Sequence, residues 1–500
     1  MSIKTTLLTP FAHLLSKKVQ RDAAQAEDDQ QKLLTHFIQQ GSKTAYGTAH
    51  NLAAVQDYKG FKTAIPLVNY EVLRPYIEQI NQGKKNVLWP GQPKYYAKTS
   101  GTTSGAKYIP LTKASIPNHF GTARNALFHY MASTGKYDFM DGKLMFLSGS
   151  PTLEEQHGIA TGRLSGISNH LIPSWLKRSQ LPSYTTNCIE DWETKLDRIV
   201  EETAPADLRL ISGIPPWVHM YYERLLAYTG KKTVLEVFPN LCMFVYGGVN
   251  FEPYRASLEQ LVGGRLPSVE TYPASEGFLA FQDQQDNPAL LLNTNAGIFF
   301  EFVPLAAIQE EQPPRLALHQ VEVGVDYALI LTTNAGLWGY EIGDTVRFVS
   351  TNPYRILVTG RVKHFISAFG EHVIGKEVET ALLQAAQQAN ISVIEFTVAP
   401  QVNPPAGEAP YHEWFIAFEQ IPQQLEQLAQ AIDEQLQQQN SYYKDLRVGK
   451  VLQQLKIRAL QPVAFQAYMK SIGKLGGQNK VPRLANDRKI ADFLESFTLK

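Results

Sequence analysis

Five hundred residues exceed what one hydrophobic core ordinarily serves, so two or more domains are expected. A hydrophobic share of 44% against 19% charged residues suits a globular chain and excludes a disordered one. Lysine plus arginine and aspartate plus glutamate each total 47, and this zero balance lacks the basic excess of a nucleic-acid binder.

The opening stretch, residues 1 to 20, holds a short apolar run broken by Pro10 and His13, without the pattern of a signal peptide. No window approaches 18 uninterrupted apolar residues, so no membrane span is expected. Cys188 and Cys242 form neither a metal-ligand spacing nor a disulfide framework. Cys242 lies in the apolar run Leu241 to Val245, where a buried inert thiol is expected, and a reducing cytoplasm fits both.

Residues 20 to 58 read largely as helix, with Leu33, Leu34, Phe37 and Ile38 on one apolar face. Residues 68 to 81 read as a second helix, and Pro117 opens a third. Leu144 to Leu147, Leu208 to Ile211, Cys242 to Tyr246 and Tyr327 to Thr332 suit buried strands, with a helix at 217 to 228 between the second and third. Strand, turn and helix in succession predict a layered α/β domain over 1–360. From about 361 the texture changes to a smaller α+β unit over 361–500. It has helices at 375 to 389 and from 425, and strands at 393 to 399, 413 to 418 and 455 to 460. The stripe Leu425, Leu428, Ile432 and Leu436 reads as core. No repeat of fixed period is present.

Five segments carry chemistry. Thr99 to Lys107 is built almost wholly of Ser, Thr and Gly and ends on a cation, a composition that lets backbone amides turn inward around a phosphate. Strand-like flanks make it a hairpin tip; a Walker loop would need glycine at Ala106 and Ser or Thr at Tyr108. Glu270 to Gly277 places an aromatic, a hydroxyl and an acid at a turn, a weak signal alone. Thr332 to Asp344 leads from a strand into a Gly-punctuated turn ending on an acid, which can accept from both ribose hydroxyls or be only a turn. Gly360 to Ile366 is basic and sits at the change of texture. In Gly476 to Arg483, Lys480 and Arg483 are functional or merely solvated.

In this order the segments resemble the adenylate-forming superfamily, and within it the acyl acid amido synthetases, the Gretchen Hagen family best known from plants. The resemblance covers about 20 to 490. It implies an α/β fold, a large multi-layered N-terminal adenylate-forming domain with a smaller mobile α+β C-terminal domain that turns about a hinge near Lys363. It also implies ATP and Mg²⁺ as cofactors. Ser100, Gly101, Thr102, Thr103 and Ser104 would cradle phosphate, and Lys107 would offset the charge of leaving pyrophosphate. Gly247 and Gly248 would let adenine approach, Tyr272 would stack near it, and Ser275 would contact the α-phosphate side. Glu276 would hold Mg²⁺, Asp344 the ribose, and Lys480 would assist at the reacting centre, while Tyr340 and Arg361 belong to the nucleotide-binding signatures. Glu341 stands where the family has a basic residue, and Asn479 where it has an aromatic.

The implied reaction joins an acyl acid to an amino acid, with no nucleic-acid or membrane partner. An acyl-CoA ligase of the same superfamily and an inactive nucleotide-binding scaffold are the alternatives. Regions 148 to 175 and 212 to 220 are expected to shape the acid pocket. No histidine arrangement suits a zincin or a triad.

Overall fold

Helix Ile3–Ala24 opens the chain and runs through Pro10. Pro10 and His13, which interrupt the apolar run, leave the helix continuous, and one face buries Ala12, Leu15 and Val19. Tertiary packing outweighs the backbone bond that proline removes. The computed structural model describes residues 3–102, 105–248, 251–308, 310–362, 365–366, 368–371, 373–405, 407–472 and 481–499. The helical reading of 20 to 58 resolves into Ala26–Gly41 and the short turns Ala45–Ala49 and Leu52–Ala54. Leu34 and Phe37 are buried as the spacing predicts. Asn69 caps helix Tyr70–Asn81 by accepting from the amides of Glu71 and Val72.

The framework is a twelve-stranded sheet. One wing is antiparallel: Leu316–Ala317, Ile298–Pro304, Asp326–Thr333, Tyr340–Thr351, Tyr354–Arg361, Leu290–Leu292, Gly277–Gln282 and Ser268–Ala274 lie side by side. From Ser268–Ala274 onward the pairing turns parallel, through Met243–Gly247, Leu208–Ser212 and Lys143–Phe146 to Gln180–Leu181. Helices Pro215–Thr229 and Glu252–Val262 cover this parallel wing, burying Val218, Tyr221, Leu225 and Leu258. The apolar residues of parallel strands such as Leu208–Ser212, where Leu208, Leu210 and Ile211 are buried, need cover, which explains the helices.

A four-stranded sheet pairs Tyr95–Thr102 with Gly105–Leu111 antiparallel and with Ile159–Gly162 parallel. Its apolar residues Tyr96, Ala97, Ile109 and Leu111 join the hydrophobic cluster that holds Tyr272, Leu279, Ile298 and Tyr340. The hairpin is thus packed onto the antiparallel wing of the large sheet.

The C-terminal unit follows the expected pattern. Val393–Gln401 pairs antiparallel with Tyr411–Phe418, and the latter pairs parallel with Lys456–Leu460. Helices Gly375–Gln388 and Leu425–Gln439 cover one face, and Leu428, Ile432 and Leu436 are buried there. Helices Ala464–Ser471 and Lys489–Leu494 cover the other, against Phe415, Ala417 and Leu460.

Candidate functional site

Parallel strands place their carboxyl ends at one edge, and ligands of open α/β sheets bind in the crevice outside that edge. Here four such ends lie in register. Phe146 runs into Leu147–Gly149, Ser212 into Gly213–Ile214, Gly247 into Gly248, and Ala274 into Ser275–Glu276. Leu147 donates its amide to Ser212 O at 2.8 Å, and Gly213 donates to Val245 O at 3.1 Å, so adjoining loops are stitched together. A Cβ at Gly213 would lie 3.0 Å from Val218 and 3.1 Å from Leu147. The expected pocket regions around 148 and 212 therefore touch each other.

Gly247 must be glycine for a separate reason. A Cβ there would lie 2.2 Å from Thr271 O, closer than any side chain tolerates, while Gly248 has φ +84°. Thr271 in turn donates its hydroxyl to Tyr246 O at 2.9 Å. The backbone at Gly247–Gly248 is thereby held flat against the strand that carries Tyr272.

Tyr272 and Asp344 meet. The tyrosine hydroxyl donates to Asp344 Oδ2 at 2.5 Å, and both residues are buried, at 8% and 9% exposure. Neither the pairing nor the local structure of Asp344 was legible from the sequence, which reads Gly343–Asp344 as a turn. The acid instead lies inside strand Tyr340–Thr351, opposite Arg361 in the antiparallel register. Gly343, at φ +90°, accepts from the Val362 amide at 2.9 Å, and a bulge beside Thr345 turns the strand at this point. The glycines of the actual turn are Gly336 and Gly339, at φ +93° and +55°.

Tyr340 stands elsewhere. It is fully enclosed, between Leu331 of the neighbouring strand and Val68, and anchors the strand in the core rather than facing the crevice. Ala335, Leu337 and Trp338 of the same segment are equally buried, and Trp338 Nε1 donates to Leu88 O at 2.9 Å. Much of this signature is therefore packing, and Asp344 is its polar end.

The phosphate segment is a hairpin, as expected, with Thr102 opposite Gly105 and Thr99 opposite Lys107. Ser100, Gly101 and Thr102 lie on its first strand and Lys107, half-buried, on its second. Tyr70 accepts the Tyr108 amide at 2.9 Å, fixing the residue after Lys107. Asn334 donates to Ala114 O and accepts, through its carbonyl, the Thr112 hydroxyl, tying the hairpin's exit to the segment of Asp344. Thr103, Ser104, Lys363, His364 and 473–480, with Lys480, lie outside the described residues.

Glu276 and Ser275 occupy the turn between Ser268–Ala274 and Gly277–Gln282, both half-buried. Asn118 fastens the next residues, accepting the Phe278 amide at 2.7 Å and donating to Phe278 O at 3.2 Å. Among the described residues no group of three or more His, Cys, Asp or Glu side chains is placed to hold a metal ion. A single carboxylate at a crevice nevertheless matches what Mg²⁺ takes from protein when phosphate and water supply the other oxygens.

Sequence reasoning missed Lys195. Its ammonium is buried and donates to Asn187 O at 2.8 Å and Ser148 O at 3.2 Å, holding the loop after Phe146. Burial lowers its pKa from 10.5 to about 8, with nearby Arg163 acting in the same direction. Cys242 is half-buried, and burial pushes its thiol up to about 11, in keeping with an inert role. Among the described residues, no helix is long and apolar enough to cross a membrane.

Models of three domains match the chain in order: the GH3 family N-terminal domain over residues 15–180, the central domain over 291–361 and the C-terminal domain over 376–489. The chain belongs to the GH3 family of acyl acid amido synthetases. It is 24% identical to a jasmonoyl–L-amino acid synthetase of Oryza sativa, over 93% of each chain. It is 22% identical to an indole-3-acetic acid-amido synthetase of Arabidopsis thaliana, over 99% of this chain and 97% of that one. An acyl acid amido synthetase solved with 2,4-DB superposes with a TM-score of 0.62 at 16% identity, covering 97% of this chain and 96% of that one. That likeness establishes the fold, a large α/β domain followed by a smaller β/α domain.

Proposed function

We propose that this GH3 protein activates an acyl acid with ATP and passes the acyl group to an amino acid. The observation that carries the reading is the junction at the crevice. Tyr272 and Asp344, 72 residues apart, share a buried hydrogen bond beside the Gly247–Gly248 backbone. A flat base against that backbone and a ribose on the Asp344 carboxylate would place the phosphates toward Ser275, Glu276 and the hairpin of Ser100 to Lys107.

In the first step a carboxylate oxygen bonds to the α-phosphorus and the bond to pyrophosphate breaks. Lys107 neutralises the departing charge, and Lys480 does so at the reacting centre. Mg²⁺, when bound through Glu276 and phosphate oxygens, would supply further charge neutralisation. In the second step an amino nitrogen bonds to the acyl carbon, loses a proton, and AMP leaves. Neither step needs a protein nucleophile. Leu147–Gly149 and Gly213–Ile214 line the acyl side of the crevice in this reading. Arg361 stands at the boundary of the two domains, with the large one over 1–360, the small one over 361–500 and the hinge near Lys363.

The test is acid-dependent ATP–pyrophosphate exchange across aryl, indolyl and aliphatic acids, followed by amide formation with an amino-acid mixture. Exchange abolished by Glu276→Ala and Lys107→Ala, with AMP as product, is expected. ADP as product would overturn the reading. A thioester formed with CoA in place of an amide would assign the second step differently.

A further inference from the structure

Helices Pro215–Thr229 and Glu252–Val262 both cover the parallel wing, and each begins at a crevice loop, after Gly213–Ile214 and after Gly247–Gly248. Three of their side chains meet. The Ser257 hydroxyl lies 2.5 Å from Nε2 of His219, and the opposite ring nitrogen, Nδ1, lies 3.4 Å from Oε2 of Glu223. His219 and Glu223 are four residues apart, so one helix face carries both. Ser257 comes from the neighbouring helix, 38 residues from the histidine, and no sequence spacing announces the arrangement.

The order hydroxyl, imidazole, carboxylate is that of a base-activated nucleophile. A carboxylate at Nδ1 holds the ring proton there, which leaves Nε2 as the acceptor of the serine proton. Access separates this group from an ordinary packing contact. The side chains of His219 and Glu223 are 26% and 59% exposed, and Ser257 is half-buried. Ser16 and His129 also share a hydrogen bond, at 3.0 Å, but both are sealed, at 6% and 7% exposure. At 1.5 Å per residue, His219 and Ser257 stand about 6–8 Å along their helices from the ends nearest the crevice.

We propose that Ser257, His219 and Glu223 form an acyl-accepting site, in which Ser257 takes the acyl group of an activated donor such as an aryl ester or a mixed anhydride. Oγ bonds to the acyl carbon, the bond from that carbon to the leaving oxygen breaks, and the hydroxyl proton passes to Nε2. The leaving group departs as its anion. Glu223 stabilises the imidazolium until it returns its proton to water. Ser257 lies inside its helix, where the surrounding amides are consumed by helix hydrogen bonds and offer no oxyanion hole. Hydrolysis of the acyl-serine, lacking such donors, is slower by about 10²–10³-fold. The site therefore fills once per chain rather than turning over. On the two-step reading above, an acyl adenylate leaving the crevice is a donor of this class, and an aryl ester tests the site without ATP.

The experiment treats the full-length protein with p-nitrophenyl acetate and maps the product by peptide mass spectrometry. One acetyl group on Ser257 is expected, with Ser16 unmodified. Ser257→Ala should remove it, and His219→Gln should slow its formation by about 100-fold. Glu223→Gln, at the exposed end of the triad, should slow it by roughly three- to tenfold, because solvent screens that charge. No acetyl group at Ser257, or one formed as fast in His219→Gln as in wild type, would overturn the site. An unchanged rate in Glu223→Gln would overturn it as well, which keeps the test decisive if the histidine variant fails to fold.

Discussion

The Tyr272 hydroxyl is the single group whose removal isolates one bond at the site. It donates to a carboxylate at 2.5 Å with both partners nearly sealed from water. Hydrogen bonds to charged groups contribute about 1.5–3 kcal/mol, and Tyr272→Phe leaves the ring and its packing in place. The expected outcome is a KM for ATP raised by roughly tenfold, with a melting temperature lowered by only a few degrees. An unchanged KM would mean that Asp344 needs no orienting partner. Lys195 gives a second prediction, with a definite sign. Folding lowers its pKa from 10.5 to about 8, so between these values the unfolded chain binds the extra proton. Stability then rises with pH across that window, and the cost of burying the charge is fully present below pH 8. Relative to Lys195→Met, the wild type should gain up to ~3 kcal/mol in urea titrations between pH 8 and 10.5, judged from the size of the shift. A flat difference would show the lysine to be charged in the fold throughout, its two carbonyl partners offsetting desolvation.

Among the elements, helix Tyr70–Asn81 links local sequence to the phosphate hairpin. Asn69 starts it, and Tyr70 at its first position accepts the amide of Tyr108. Tyr70→Phe leaves that amide without its partner, at a cost of about 1–3 kcal/mol, and loosens the residue next to Lys107. Pyrophosphate exchange should weaken through the KM for pyrophosphate more than through the maximal rate. Equal effects on both would mean that the hairpin is held by its strand pairing alone. This helix was legible because its cap, spacing and end lie within a dozen residues. The hairpin was legible for the same reason, its composition being local. Strand Tyr340–Thr351 was not, since Gly343–Asp344 has turn composition and only the flanking strands Asp326–Thr333 and Tyr354–Arg361 make it extended. The site divides along the same line. Contiguous segments around 99, 272 and 344 announce themselves. The contacts of Arg163 with Asp445, 282 residues away, and of Asn118 with Phe278, 160 away, leave no trace in either segment.

At the scale of the whole molecule, the N-terminal helix is coupled to the crevice through one intermediary. Helix Ile3–Ala24 lies on helix Ile116–Thr134, with Phe11 edge-on to Phe128 at 5.2 Å and Ser16 hydrogen-bonded to His129 at 3.0 Å in a buried contact. Its far end is tied to the antiparallel wing, where Thr294 donates to Asp22 O at 3.4 Å. The helix it covers carries Asn118, whose amide clamps Phe278 two residues beyond Glu276. Removing residues 1–24 exposes the surface against Ala12, Leu15 and Val19, and at about 1.5–3 kcal/mol for each large buried side chain the loss is on the order of 5 kcal/mol. The truncated protein should melt well below the full chain. Asn118→Ala should abolish pyrophosphate exchange with a much smaller loss of stability than truncation causes, because it frees the Glu276 turn while leaving the helix packed. Exchange that survives Asn118→Ala but fails on truncation would place the effect of the N-terminal helix in general stability. Exchange lost in both, with the point variant still folded, would make this helix the brace of the Glu276 turn.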